Sequence, residues 1–326
     1  MAQAILAPWR PFCLPASSHA FSALAVRKVD MDDELVEVRD NFYAGNFQRT
    51  IEMSEAIVAS NDLAQTENGA LYARCCLALG NIDKLKTMQN SPNPGQKACA
   101  LMALMSKTPK EQVKAQAKEA LLKLATDTQD MTTTMLASII TAADGSYTDA
   151  VKMAQAHPTL EMKALCVFIC LICNQVAMAD RMLSDMAGTN DDAVSFRLAT
   201  AAVKLATGDP EEAYLIYCDL SSQFPPVEGD DSNVGSVLLQ CGKGVANMAR
   251  GMWAEAVEDL QRAHGTAPTD ADVLINLCCC ATNLGQKDNF DQYFAKLAQV
   301  APSHPYVVKT QGLSQVFAKF QASLAA

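Results

Sequence analysis

Three cysteines at helical spacing come nearest to a chemical site in this sequence. Cys166, Cys170 and Cys173 lie within one stretch, and every residue between them is apolar. A structural zinc site takes four ligands, usually as two such cysteine pairs or as one pair with two histidines. No second group of this kind is near. The pattern predicts a buried apolar helix with reduced thiols and no metal ion.

The other reactive residue types are also poorly arranged for catalysis. Cys278, Cys279 and Cys280 are consecutive, so on a helix they point in three directions. The four histidines lie in no nucleophile or metalloprotease motif, and the Gly-Lys-Gly at 242–244 lacks the spacing of a phosphate-binding loop. We interpret 242–244 as a place where two helices cross closely. The sequence predicts no enzymatic activity and no cofactor.

The net charge and the length of the apolar stretches limit the classes of partner that the chain can bind. The chain has 326 residues and a formal net charge of −10, without any run of Lys or Arg. Nucleic acids and anionic membranes are bound by basic surfaces, so neither is an expected partner. The longest apolar stretch, Ala164 to Cys173, is about half as long as a membrane-spanning helix. We expect no direct insertion into a membrane.

An internal repeat of 34 residues sets the fold class. Residues 237–270 and 271–304 align so that Gly251 matches Gly285 and Pro268 matches Pro302. This is the length of the tetratricopeptide repeat, which is a pair of antiparallel helices. The glycine supplies the turn between the two helices, and the proline follows the end of the second.

The same turn signal recurs towards the N-terminus. Other predicted turns are centred on Gly45, Gly80, Gly145, Asn174 and Gly208. A further amphipathic helix is predicted over 107–125, without a turn glycine, and an acidic surface loop over 226–236. No segment shows the alternation of a strand. The sequence predicts an all-α, tetratricopeptide-like α-solenoid of helical hairpins that forms a curved superhelix over 31–326.

Residues 1–30 differ from the rest of the chain. They carry basic but no acidic residues before Asp30, together with several Pro and Ser. This composition is typical of an organelle transit peptide. The alternative, which we favour, is a disordered N-terminal extension that carries no targeting signal.

The first helix of each hairpin lines the concave side of such a solenoid. The side chains at the second, fifth, ninth, twelfth and thirteenth positions of that helix face inward, and we call these the inner positions. In this sequence most of the inner positions are apolar. The candidate partner-binding residues are Phe168, Leu171, Ile172, Leu198, Leu205, Leu238, Cys241, Val245, Met248, Ile275 and Cys279. An apolar inner wall indicates either a large hydrophobic partner or a superhelix tight enough to pack on itself. Some of these residues could instead be ordinary core between repeats.

Three segments resemble one particular family. They are the run Val38–Phe47, the helix Glu211–Tyr217 followed by Phe224 and Pro225, and the stretch from Gly251 to Leu277. In their order and spacing they resemble the epsilon subunit of coatomer, over about residues 31–324. The loop at 226–236 is longer than the family pattern leads us to expect.

The resemblance implies a non-catalytic part of the vesicle coat that acts between the Golgi and the endoplasmic reticulum. Its implied partners are the C-terminal domain of the coatomer alpha subunit and the other coat subunits. The implied location is the cytoplasm and the cytosolic side of Golgi membranes and coated vesicles, with membranes reached only through the coat. Since a transit peptide would not suit that location, residues 1–29 are expected to be dispensable. The alternative function is a co-chaperone-like module that binds short peptides, but such modules use basic inner positions.

Overall fold

The computed structural model describes residues 34–225 and 236–325, which form seventeen α-helices and no strand. The predictions for residues 1–30 and for most of the loop at 226–236 lie outside these described residues. Within them, the predicted all-α, tetratricopeptide-like architecture is confirmed. The chain divides into two compact units, and the division falls between Ile216 and Tyr217.

The N-terminal unit, residues 34–216, is built from consecutive helical hairpins. Its helices are α1 (Val36–Ala44), α2 (Phe47–Ala56), α3 (Asp62–Ala78), α4 (Ile82–Thr87), α5 (Pro94–Lys107), α6 (Glu111–Thr128), α7 (Met131–Ala143), α8 (Tyr147–Gln155), α9 (Leu160–Ile172), α10 (Val176–Ser184) and α11 (Val194–Thr207), followed by the first half of α12 (Pro210–Gln223).

The C-terminal unit, residues 217–325, contains the second half of α12, two complete hairpins and a last single helix. These helices are α13 (Val237–Ala249), α14 (Trp253–Thr266), α15 (Ala271–Asn283), α16 (Lys287–Val300) and α17 (Pro305–Ala325).

The predicted turns have the backbone conformation that ends a helix. Gly251, between α13 and α14, has φ +78°, and Asn174, between α9 and α10, has φ +58°. An L residue rarely adopts this left-handed conformation, but glycine and asparagine tolerate it. The other predicted turn glycines also have positive φ: Gly45, Gly80, Gly145, Gly208 and Gly285. The predicted turns are therefore confirmed, and the spacing is 34 residues from Asn174 to Gly208 and from Gly251 to Gly285.

The predicted helix without a turn glycine is α6, which begins at Glu111 and not at 107. The preceding helix α5 runs to Lys107, and Thr108 is extended, with ψ +134°. Thr108 precedes Pro109, and the proline ring disfavours the α conformation in the residue before it. An extended link therefore replaces the glycine turn in this hairpin.

Gly244 lies where α13 crosses α14, and Gly242 lies against the Tyr217 ring of α12, as the small size of the two glycines indicated. A Cβ atom on Gly244 would lie only 2.6 Å from Cγ of Leu260. Lys243 reaches across the same crossing, with Nζ 3.4 Å from Oδ1 of Asp259. The Asp259 side chain is 4% exposed and also accepts a hydrogen bond from Nδ2 of Asn247 at 3.0 Å. The Gly-Lys-Gly stretch thus packs α13 against both α12 and α14.

Candidate partner-binding surface

The inner positions of α15 form the most open part of the predicted surface. Ile275 and Cys279 are half-buried, and Thr282 and Asn283 are exposed. Residues on the other faces of α15, among them Leu274 and Leu277, are buried. The side of α15 that the repeat register assigns to the inner face is therefore its least covered side.

In α13 the same positions are mostly covered by the chain itself. Leu238 is half-buried, but Cys241, Val245 and Met248 are buried. One covering residue comes from α15, where Nδ2 of Asn276 lies 3.4 Å from the Cys241 sulfur. Of the four candidates in α13, only Leu238 retains substantial exposed surface.

The candidates in the N-terminal unit are also largely covered. Phe168 and Leu171 in α9 and Leu198 in α11 are buried, while Ile172 and Leu205 are half-buried. First helices of successive hairpins contact one another, including α7 with α9 and α9 with α11. In this unit, packing of the chain on itself therefore explains the burial of Phe168, Leu171 and Leu198.

Helix α1 contributes to this self-packing although it is distant in sequence. It contacts both α3 and α11. The backbone N–H of Val194 donates a hydrogen bond of 3.5 Å to Oδ1 of Asp40. Burial raises the pKa of the Asp40 carboxyl above its usual range. The two ends of the N-terminal unit are thereby held together.

Sequence reasoning missed Arg74, a buried cation in the core of this unit. Its guanidinium donates from Nη2 to the hydroxyl of Tyr43 at 3.2 Å, and its Cζ lies 4.2 Å from the centre of the Phe42 ring. Burial raises the pKa of Tyr43 to about 12, so the phenol stays protonated. The only sequence signal was a single Arg in an otherwise apolar helical stretch. Arg74 joins α3 to α1.

The three helical cysteines do not converge on one point. The Cys166 sulfur lies 4.0 Å from the Val151 carbonyl oxygen, that of Cys170 lies 3.7 Å from the Met182 sulfur, and that of Cys173 lies 2.9 Å from the Ile169 carbonyl oxygen. Across residues 34–225 and 236–325, no group of three or more His, Cys, Asp or Glu residues could hold a metal ion. These cysteines act as small apolar core residues.

Burial should make these thiols unreactive in the native protein. It raises the pKa of Cys166 and of Cys170 to about 12, so at pH 8 both thiols are almost entirely protonated. Cys218 is half-buried. In a background with Cys13→Ser and Cys279→Ser, which removes the other half-buried thiol, we expect a disulfide reagent at pH 8 to label Cys218 before Cys166 and Cys170.

The matched control is Cys218→Ser in the same background, which should remove the fast phase of labelling. Cys166 and Cys170 should react only after denaturation. Native labelling of these two at the rate of Cys218 would contradict the burial described here.

The fold and this surface define a class of protein, the tetratricopeptide-like helical-repeat scaffold. The solved structure of the Cut9–Hcn1 hetero-tetramer of the APC/C matches it with a TM-score of 0.57 and 12% identity, over 84% of this chain and 53% of that one. A tetratricopeptide repeat protein from Parabacteroides merdae matches with a TM-score of 0.51 and 14% identity, over 82% of this chain and 98% of that one. At such identities the likeness shows the fold alone.

The sequence comparisons identify the family. The family model for the coatomer epsilon subunit matches residues 31–325. Coatomer subunit epsilon-2 of Arabidopsis thaliana is 28% identical, over 90% of this chain and 96% of the relative. The probable coatomer subunit epsilon of Schizosaccharomyces pombe is 26% identical, over 79% of this chain and 83% of the relative. The chain belongs to the coatomer epsilon subunit family and is a component of a vesicle coat.

Proposed function

We propose that this chain is a structural subunit of the coat that binds and stabilises the C-terminal domain of the coatomer alpha subunit. In this role it serves transport from the Golgi to the endoplasmic reticulum and within the Golgi. Family membership and the helical-repeat fold point to a structural and not a catalytic role.

The observation that carries the proposal is the half-open apolar inner face of the C-terminal unit. Leu238, Ile275 and Cys279 are neither fully buried nor fully exposed, as expected of a surface that is completed by a partner. An apolar partner face excludes water from such residues and gains about 25 cal/mol for each Å² of apolar surface buried. The partner would therefore bind mainly through apolar contact.

The peptide-binding alternative would require a different surface. A module that clamps a peptide carboxylate uses Lys or Arg, because these residues form charge-assisted hydrogen bonds. The inner positions of α15 are Asp272, Ile275, Cys279, Thr282 and Asn283, without a basic residue. This composition favours the coat partner over a short peptide tail.

The proposed location follows from the coat. Within the described part of the chain, no helix combines the length and the apolar character needed to cross a membrane. We infer that the chain works in the cytoplasm and reaches Golgi membranes and vesicles through the assembled coat, together with the other coat subunits.

The proposal predicts direct binding that depends on the inner face. In a calorimetric titration, the chain should bind the purified C-terminal domain of the alpha subunit at a ratio of about one to one. Leu238→Asp should weaken this binding at least about tenfold, since a carboxylate would be desolvated in an apolar contact. Val245 is 2% exposed, so its substitution would test folding and not binding.

Leu215→Asp is the matched control, because Leu215 is an exposed leucine on α12, the second helix of its hairpin. Its affinity should equal that of the unmodified chain, and both variants should keep their thermal midpoints. Absence of any binding by the unmodified chain would refute the proposed function, and equal binding by the Leu238 and Leu215 variants would refute the role of the inner face.

A further inference from the structure

Helix α17 leaves an apolar surface uncovered. Its first turn is anchored, since Val307 is buried in a cluster with Leu274 and Leu297. Beyond that turn, four large apolar residues remain mainly in solvent: Leu313 at 71%, Val316 at 65%, Phe317 at 62% and Phe320 at 57% exposed. No other helix in the described part of the chain carries so many exposed large apolar residues.

These four residues share one side of the helix. They are separated by three, one and three residues, which is the spacing of a single helical face. We call them the α17 stripe. Single exposed apolar residues are ordinary, but a contiguous apolar face marks a binding surface. Helical stability also comes mainly from packing such a face.

The repeat register places the α17 stripe on the inner face. Helix α17 begins 34 residues after α15 does, so Leu313, Val316 and Phe317 occupy the ninth, twelfth and thirteenth positions of a first helix. The two inner faces are adjacent, because Ile275 of α15 and Tyr306 of α17, both at inner positions, pack against the same core cluster of Leu274, Leu297 and Val307. The stripe therefore extends the half-open inner face of α15.

A second copy of this chain is a poor occupant for the stripe. The only charged residues of α17 are Lys309 and Lys319, so pairing two copies would bring four lysines together without an acid. The stripe exposes roughly 400–500 Å², taking about 200 Å² for a free aromatic side chain. Two copies would bury about 900 Å², below the roughly 1,200 Å² of a stable interface.

Charge complementarity points to a different chain. Lys309 lies one turn before Leu313, in line with the stripe, and Lys319 lies beside Phe320. A partner suited to this surface presents apolar side chains to the stripe and carboxylates to the two lysines. Each lysine would then gain an opposite charge at the edge of a desolvated contact.

We propose that the α17 stripe is a docking site for an apolar segment of the coat partner that is flanked by acidic residues. This inference rests on the proposed function and locates part of that binding surface on the last helix of the chain. The contact adds to the inner face of α15.

The test compares two double substitutions on the same helix in the full chain. Val316→Asp with Phe317→Asp places two charges in the stripe, and Gln311→Asp with Gln315→Asp places two on the opposite side. Titrated against the purified C-terminal domain of the alpha subunit, the stripe variant should bind at least about thirtyfold more weakly, and the control within about threefold. The thermal midpoints should stay unchanged, since all four side chains are exposed.

A separate variant, Lys309→Glu with Lys319→Glu, tests whether acidic residues of the partner contact the two lysines. It should weaken binding about tenfold at low salt and less at high salt, because exposed charges are screened. Unchanged affinity at low salt would overturn the assignment of acidic flanks.

Failure of this inference is distinguishable from failure of the proposed function. If the unmodified chain does not bind the alpha domain, the proposed function fails and the inference fails with it. If it binds, but the stripe and control variants bind equally, the docking site alone is overturned. A dimer of the unmodified chain in sedimentation, absent in the stripe variant, would make a second copy the occupant and would also overturn the inference.

Discussion

Ala256→Trp is expected to destabilise the chain by about 3 kcal/mol or more, because it overfills the close crossing of α13 and α14. Ala256 is fully buried in α14. Its carbonyl oxygen lies 3.3 Å from the place where a Cβ atom on Gly244 would stand, so α13 leaves no room for a larger side chain. Leu260, one turn further along α14, is also fully buried and cannot move aside.

The measurement is the free energy of unfolding in urea, with Ala254→Trp as the matched control. Ala254 is exposed on the same helix, two residues earlier. The control introduces the same side chain without a steric clash, and its stability should change by no more than about 0.5 kcal/mol. Equal stability of the two variants would mean that the 34-residue register is misplaced in α14.

Arg74→Ala is expected to cost about 3 kcal/mol and to loosen α1. The substitution removes the cation–π contact with Phe42 and the hydrogen bond to Tyr43, and it leaves a cavity in the core. The Tyr43 side chain, which is 6% exposed, would lose this partner inside the protein. Hydrogen exchange should accelerate more in α1 than in α15.

Two variants separate the causes of this effect. Arg49→Ala removes an exposed arginine on α2 and should leave the stability unchanged. Arg74→Lys keeps the charge but loses the flat guanidinium that stacks on Phe42, so it should be destabilised, though less than Arg74→Ala. A fully stable Arg74→Ala would show that the other contacts of α1, including those with α2 and α11, suffice to hold it.

The sequence predicted the hairpins because their determinants are local. A left-handed turn residue such as Gly251 and an apolar face such as that of α14 are visible within a single 34-residue window. The register even identified Asn174 as a turn residue without a glycine, and its positive φ confirms this prediction. The start of α6 differed because Pro109 acts on Thr108 within a link that has no turn residue.

The contacts between distant repeats were not predictable in the same way. Whether α1 reaches α11 depends on the small rotation between neighbouring repeats, summed over the whole unit. The summed rotation cannot be deduced from the residue pattern of a single repeat. For this reason the sequence left two interpretations of Phe168 and Leu198 open, a partner contact and ordinary core between repeats; in the structure both side chains are buried. Leu238, Ile275 and Cys279 remain predictions as contact residues, as do the half-buried Ile172 and Leu205.

The α17 stripe was overlooked for a related reason. Its apolar residues have the same spacing as those of any buried helix, so the sequence alone does not distinguish an exposed face from a core face. The distinction comes from the structure, in which all four residues of the stripe are more than half exposed.

The stoichiometry of the native complex tests the central claim most directly. A tagged copy of the full chain, expressed near its natural level and recovered from cytosol, should elute at the size of the coat complex. Quantitative mass spectrometry should find the alpha subunit in equal molar amount, with the other coat subunits present. Elution of the chain by itself, or with an alpha subunit content far below equimolar, would contradict the account.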